Sequence, residues 1–114
     1  MAFVNYIGGG DGAGLTGTGI SAAGTTQATA TTLRAQENEV TTVASGAGVV
    51  MDPLLSASEI QTVFNASSTA LKVYPPSGMQ INGLPSNTAM ILAPNTGVMF
   101  RCVSSTRIFG VLSA

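Results

Sequence analysis

An all-β fold is predicted for this 114-residue chain: a compact antiparallel β-sandwich or jelly-roll-like barrel with an extended glycine-rich N-terminal arm. Three features of the sequence point there. From Thr25 onward threonine and valine dominate, and their branched side chains lose freedom in a helix but suit a pleated surface. Apolar and polar residues alternate with the period of two of a strand rather than the 3.6 of a helix. Turn residues recur at intervals of roughly 8 to 12 positions, the spacing of sandwiches and barrels.

The chain divides into two segments, an arm over 1–24 and a β domain over 25–114. The arm opens with an apolar tip, Phe3, Val4, Tyr6 and Ile7, followed by "GGGDGAGLTGTG". Glycine is so frequent there that helix and strand both lose too much backbone entropy. Gly12, Gly14 and Gly17 match G-x-G-x-x-G, but the dinucleotide fingerprint needs a helix opening at the third glycine, and "TGTGISAAGTT" is not one. The segment reads as a flexible tether.

Strands are expected near 27–34, 39–44, 48–51, 60–65, 70–74, 80–81, 88–92, 98–103 and 107–112. The run "TQATATTLRAQENEV" contains helix formers, but the threonines that precede them favour strand and turn. In "IQTVFN", Ile60, Thr62 and Phe64 share one face and Gln61, Val63 and Asn65 the other. Val63 breaks strict alternation, so both faces of this strand are expected to be covered. "NASSTA" then reads as the turn of a hairpin leading into the strand at 70–74. Pro75 and Pro76 lack N–H donors and force the chain off the sheet into a turn closed by Ser77 and Gly78. Asn82 with Gly83, and Pro94 to Gly97, repeat the device. Corners this frequent predict a compact antiparallel meander.

Charge narrows the function. Charged residues make up 8% of the chain, the net charge is -1 and histidine is absent. No basic field gathers nucleic acid. No run approaches the roughly 18 apolar residues of a membrane span, and the N-terminus lacks the basic and apolar regions of a secretory signal. The single cysteine, Cys102, has no partner for a disulfide or a metal site, which suggests a reducing compartment. A surface this poor in charge is either coated with Thr, Ser, Asn and Gly or covered by partners.

Little acid–base chemistry is available. Glu37 and Glu39 are the nearest carboxylate pair and would share a face on a strand, an arrangement compatible with acid–base work, but they read as a solvated turn, with no apolar pocket in view to raise a pKa. Without histidine the serines and threonines have no ordinary base. Cys102 is expected to be buried, with Phe100 on its face and Arg101 on the other. Arg34, Lys72, Arg101 and Arg107 are spread over separate strands and could pair singly with carboxylates of a partner. Asn65-Ala66-Ser67 is a glycosylation sequon read as a turn, and Asp11, Asp52 and Glu59 are too scattered for a calcium loop. No cofactor, metal or catalytic residue is indicated.

Taken together, "ISAAGTTQATATTL", "EVTTVASGAGVV", "TVFNASSTALKVYPPSGMQINGL" and the closing "FRCVSSTRIFGVL" resemble the small β-rich head proteins of tailed bacteriophages, in particular the capsid decoration or cement proteins. The resemblance covers residues 20–112. It implies a non-enzymatic virion protein, made in the bacterial cytoplasm, that binds assembled major capsid protein on the outer shell. It also implies a homo-oligomer, a trimer in preference to a dimer. On that reading the capsid or subunit interface is expected at Phe3, Val4, Tyr6, Ile7, Arg34, Lys72 and Tyr74. The glycine-rich tether would let the apolar tip reach a neighbour. A tail, fibre or appendage component is the alternative.

Overall fold

The computed structural model describes residues 16–113. It is all-β, with ten strands: β1 (Thr16–Ser21), β2 (Thr31–Thr32), β3 (Glu37–Thr42), β4 (Gly48–Val50), β5 (Ile60–Asn65), β6 (Leu71–Tyr74), β7 (Gln80–Ile81), β8 (Met90–Leu92), β9 (Thr96–Cys102) and β10 (Arg107–Leu112). The chain steps back and forth between two sheets. Sheet A runs β1-β3-β5-β9-β10-β7, and sheet B runs β2-β4-β6-β8.

Two parallel ladders define the architecture. β1, β3 and β5 pair in parallel in sheet A, and β2, β4 and β6 do the same in sheet B. Each odd strand with the even strand that follows it forms a rung, and three rungs stack like the turns of a solenoid. Backbone bonding continues round the corners: Ala22 N–H donates to Thr42 O at 2.8 Å, Thr62 N–H to Gln36 O at 2.7 Å and Ala66 N–H to Val40 O at 2.8 Å. The remaining strands close the stack with a different pairing. β8 is antiparallel to β6, β9 to β5 and β10 to β9, while β7 adds in parallel to the outer side of β10.

Between the sheets lies one apolar core, with Val40, Val63, Phe100, Ile81 and Ile108 from sheet A facing Val49, Leu71, Val73 and Leu92 from sheet B. Leu33 and Met51 fill the corners. Three side-chain amides are buried with them: Asn38, Gln61 and Asn65. Gln61 Nε2 donates to Ala35 O at 2.9 Å and to Leu33 O at 3.4 Å, and its Oε1 accepts from Asp52 N–H at 3.0 Å. Asn38 donates to Ala35 O and Thr62 O. Asn65 donates to Thr69 O and Leu92 O, and accepts from the N–H and hydroxyl of Ser67. Each amide ties a corner, where backbone groups leave the ladders, to the sheet beside it. Among the described residues no buried side-chain nitrogen or oxygen lacks a partner.

Strand positions from β3 to β10 match the sequence expectation, but of the strand expected at 27–34 only Thr31–Thr32 forms, and strand pairing differs. The antiparallel sandwich is corrected to a solenoid-like stack, because the first six strands pair in parallel with the strand two places along. The expected hairpin at "NASSTA" is a corner: β5 and β6 lie in different sheets, and the inward Asn65 amide holds the turn between them. The meander over 70–98 fails for the same reason, since β6, β7, β8 and β9 alternate between sheets. The proline corners do take the chain off the sheet, but they deliver it to the opposite one. Within the expected arm, residues 16–21 instead form β1, whose backbone pairs with β3; residues 1–15 lie outside the described part. Leu33 to Glu37, where helix formers cluster, is a corner running into β3.

The amide ties carry a stability prediction. Gln61→Leu keeps the volume but removes the side-chain partner of Asp52 N–H and of the Leu33 carbonyl and leaves the Ala35 carbonyl to Asn38 alone, so unfolding in urea should show a loss of about 2–4 kcal/mol. Thr41→Val, at an exposed site on β3, should change stability by about 0.5 kcal/mol or less. Equal effects of the two changes would remove the amide from this role.

Candidate interaction surface

The outer face of sheet A is built by the residues that alternate with the core. Register sets them in rows across the strands: Thr16–Glu37–Thr62–Met99–Val111 in one, Glu39–Phe64–Gly97 in the next and Ile60–Arg101–Phe109 in a third. Met99 is 50% exposed, Val111 70%, Phe64 44% and Phe109 45%. The face is acidic toward β1, where Glu37 and Glu39 stand, and apolar over β5, β9 and β10. Arg101 lies between Ile60 and Phe109, and the Arg107 guanidinium sits 5.7 Å from the Phe109 ring centroid, within cation–π range. Contiguous exposed apolar side chains on a small protein mark an interaction surface more often than a solvent contact.

Two glycines shape this face and the core beneath it. Gly97 stands directly opposite Phe64, and Gly110 directly opposite Phe100. A Cβ on Gly97 would lie 2.6 Å from the Phe64 ring, and one on Gly110 would lie 3.0 Å from the Phe100 ring. Each phenyl ring lies over the bare backbone of its partner strand, Phe64 from outside and Phe100 from inside. Such pairing protects a glycine that would otherwise weaken a strand. Beside Phe64 this leaves a groove of about 260 Å3 lined by Gly97, Met99, Val111 and Leu112, with no charged side chain in its wall.

The expected interface residues do not converge here. Phe3, Val4, Tyr6 and Ile7 lie outside the described residues. Arg34 is exposed in the corner between β2 and β3, while Lys72 is half-buried on the outer side of sheet B between Gly48 and Ile91. Tyr74 is 8% exposed and its hydroxyl donates to Thr25 O at 3.0 Å, so it pins the loop after β1 rather than presenting a surface. Glu37 and Glu39 share an exposed face with Asn38 inward, on a strand instead of the expected turn. Gly17 lies within β1, with no helix opening at it. Asn65 is buried with its amide engaged, which closes the sequon to a glycan. A larger hollow of about 500 Å3 is lined by Pro53, Leu55, Ser56, Pro76, Met79 and Ser104 among others, and none of its lining residues is ionisable. Among the described residues no three His, Cys, Asp or Glu side chains are grouped to hold a metal.

The chain matches no protein-family model, no curated protein and no solved structure at a significant level.

The outer face of sheet A was missed as a site in the sequence, although its signal is present there. In β5 the polar Gln61 and Asn65 point inward and Phe64 outward, the reverse of an ordinary half-buried strand. Gly97→Ala should therefore cost about 1–3 kcal/mol by forcing the Phe64 ring aside. In a Phe64→Ala background the same change should cost far less, as a double-mutant cycle of urea midpoints would show; an unchanged cost would refute the ring-over-glycine pairing.

Cys102 is 1% exposed, with its thiol 3.2 Å from Ser104 O. Burial raises its pKa above the ordinary 9.0, against a smaller lowering by that hydrogen bond. A thiol-specific reagent at neutral pH should modify it slowly in the native protein and rapidly in denaturant. In the unfolded chain the thiol loses its proton near 9.0, while the folded form still holds it. Above that pH the unfolded state therefore binds fewer protons, and stability should fall as pH rises. Cys102→Ala should lack this component in alkaline denaturation curves.

Proposed function

We propose that this protein is a non-enzymatic structural component of a bacteriophage virion. It binds the outer surface of the head and stabilises the shell by bridging major capsid protein subunits. The observation that carries this reading is the contiguous apolar outer face of sheet A in a chain with 8% charged residues. Charge is depleted at the cores of protein interfaces, and apolar side chains there exclude water. The ladders beneath the face hold its side chains at fixed spacing, which favours a preformed contact with little ordering cost. Arg101 and Glu37 at opposite sides of the apolar area supply orientation more than affinity.

In this reading the protein, made in the host cytoplasm, acts as a homo-oligomer, a trimer in preference to a dimer. The tip residues Phe3, Val4, Tyr6 and Ile7 contribute an anchor through the glycine-rich segment, and exposed Arg34 and half-buried Lys72 supply separate charged contacts. A second reading, a tail, fibre or appendage component, is favoured by the parallel stacking of rungs, a geometry that can continue from one chain to the next beyond β1, the last strand on its side of sheet A among the described residues.

Co-sedimentation with assembled heads of the parent phage that lack this protein tests the first reading, with the solution mass measured in the same buffer. Saturable binding at a fixed ratio to the major capsid subunit, by a species of three times the 11.4 kDa chain mass, is the expected result. A folded protein that leaves intact heads bare shifts the assignment to the tail or fibre. Deleting residues 1–14 should leave the β domain folded while weakening head binding; unchanged binding would remove the anchor.

A further inference from the structure

The groove beside Phe64 is an apolar surface with no occupant among the described residues, and four observations select one. Its lining residues Phe64, Gly97, Met99, Val111 and Leu112 carry no charge. At about 260 Å3 it falls below the roughly 300–1,000 Å3 of sites that enclose small ligands, and it suits a few side chains of a peptide. The chain enters sheet A at Thr16, which stands in the same cross-strand row as Met99 and Val111. The 15 residues before it contain one apolar cluster, Phe-Val-Asn-Tyr-Ile at 3–7, joined to β1 by a glycine-rich spacer with one charge, Asp11.

We propose that residues 3–7 of the same chain dock in this groove in the free protein. The reach is adequate. From β1 to β9 is three strand spacings, about 14 Å, and the eight residues 8–15 span up to about 26 Å when extended. The chemistry matches as well: two aromatic and two β-branched side chains, none charged, meet an uncharged wall of phenyl, thioether and aliphatic groups. Connection through a short flexible tether gives the segment an effective concentration of order millimolar at its own groove. That exceeds the concentration of a second copy in dilute solution, so the same chain is the favoured source. Docking covers Phe64, Met99 and Val111 in the free protein. The inference concerns the protein in solution and stands independently of the virion reading.

Paramagnetic relaxation tests it directly. A nitroxide is attached to Asn5→Cys in a Cys102→Ala background, and intensities are read from the methyl groups of Met99, Val111 and Leu112 in the full chain. Ile91, on the outer side of sheet B, serves as the reference. The groove methyls should lose most of their intensity while Ile91 keeps its own. A mixture of isotope-labelled chains without nitroxide and unlabelled chains carrying it should show no loss. Val111→Asp, at an exposed position, should abolish the selective loss while the remaining methyl spectrum stays native. Absence of selective broadening in the single-chain sample overturns the proposal. Broadening that also appears in the mixture overturns it too, by assigning the groove to the segment of a second copy.

Discussion

Everything in this fold hangs on three buried side-chain amides that hold the corners where the chain leaves one sheet for the other. A stack of short strands that changes sheet at every step from β1 to β9 has few hairpins, and its backbone must turn repeatedly beside an apolar core. Peptide groups at those turns cannot all join the ladders, and leaving one buried without a partner costs about 1–3 kcal/mol. Asn38, Gln61 and Asn65 reach the carbonyls and N–H groups of residues 33, 35, 52, 69 and 92. They act as backbone substitutes in the places where backbone pairing runs out. Because every member of the network is paired, it fixes one path round each corner.

This arrangement explains why strand positions were legible in the sequence and strand partners were not. Branched side chains bounded by turn residues located β5 and β10, since strand preference is a local property of the backbone. Pairing depends on where a corner sends the chain, and the decisive corner residues are polar amides whose inward bonds to the corner backbone no local pattern in the sequence specifies. At Asn65-Ala66-Ser67 the composition of a hairpin turn is present, yet the inward amide directs the chain to the opposite sheet. β1 was hidden for a different reason: glycine at 17 and 19 lowers intrinsic strand preference, and pairing with β3 overrides it.

The candidate site was legible in part. The inward position of Cys102 followed from the usual burial of a free thiol, whereas Glu37 and Glu39, read as a solvated turn, share one face of β3. Tyr74, expected at an interface, is 8% exposed and its hydroxyl donates to the Thr25 carbonyl, a contact across 49 positions that local pattern does not reveal. The importance of Phe64 could not emerge until register placed it opposite Gly97, a relation between residues 33 positions apart.

The order of strands in sheet A gives the molecule two unlike ends under load. Among the described residues β1 is the last strand on its side of sheet A, joined to β3 alone, so tension on the N-terminal segment bears on a single ladder. β10 is joined to β9 from Ile108 to Leu112 but to β7 only at Arg107 and Ile108, so tension on the C-terminus also meets one ladder first and reaches a second only at the base of the strand. A chain loaded through its N-terminus is therefore resisted by one ladder along the whole of β1, while one loaded through its C-terminus meets added resistance once peeling reaches Ile108.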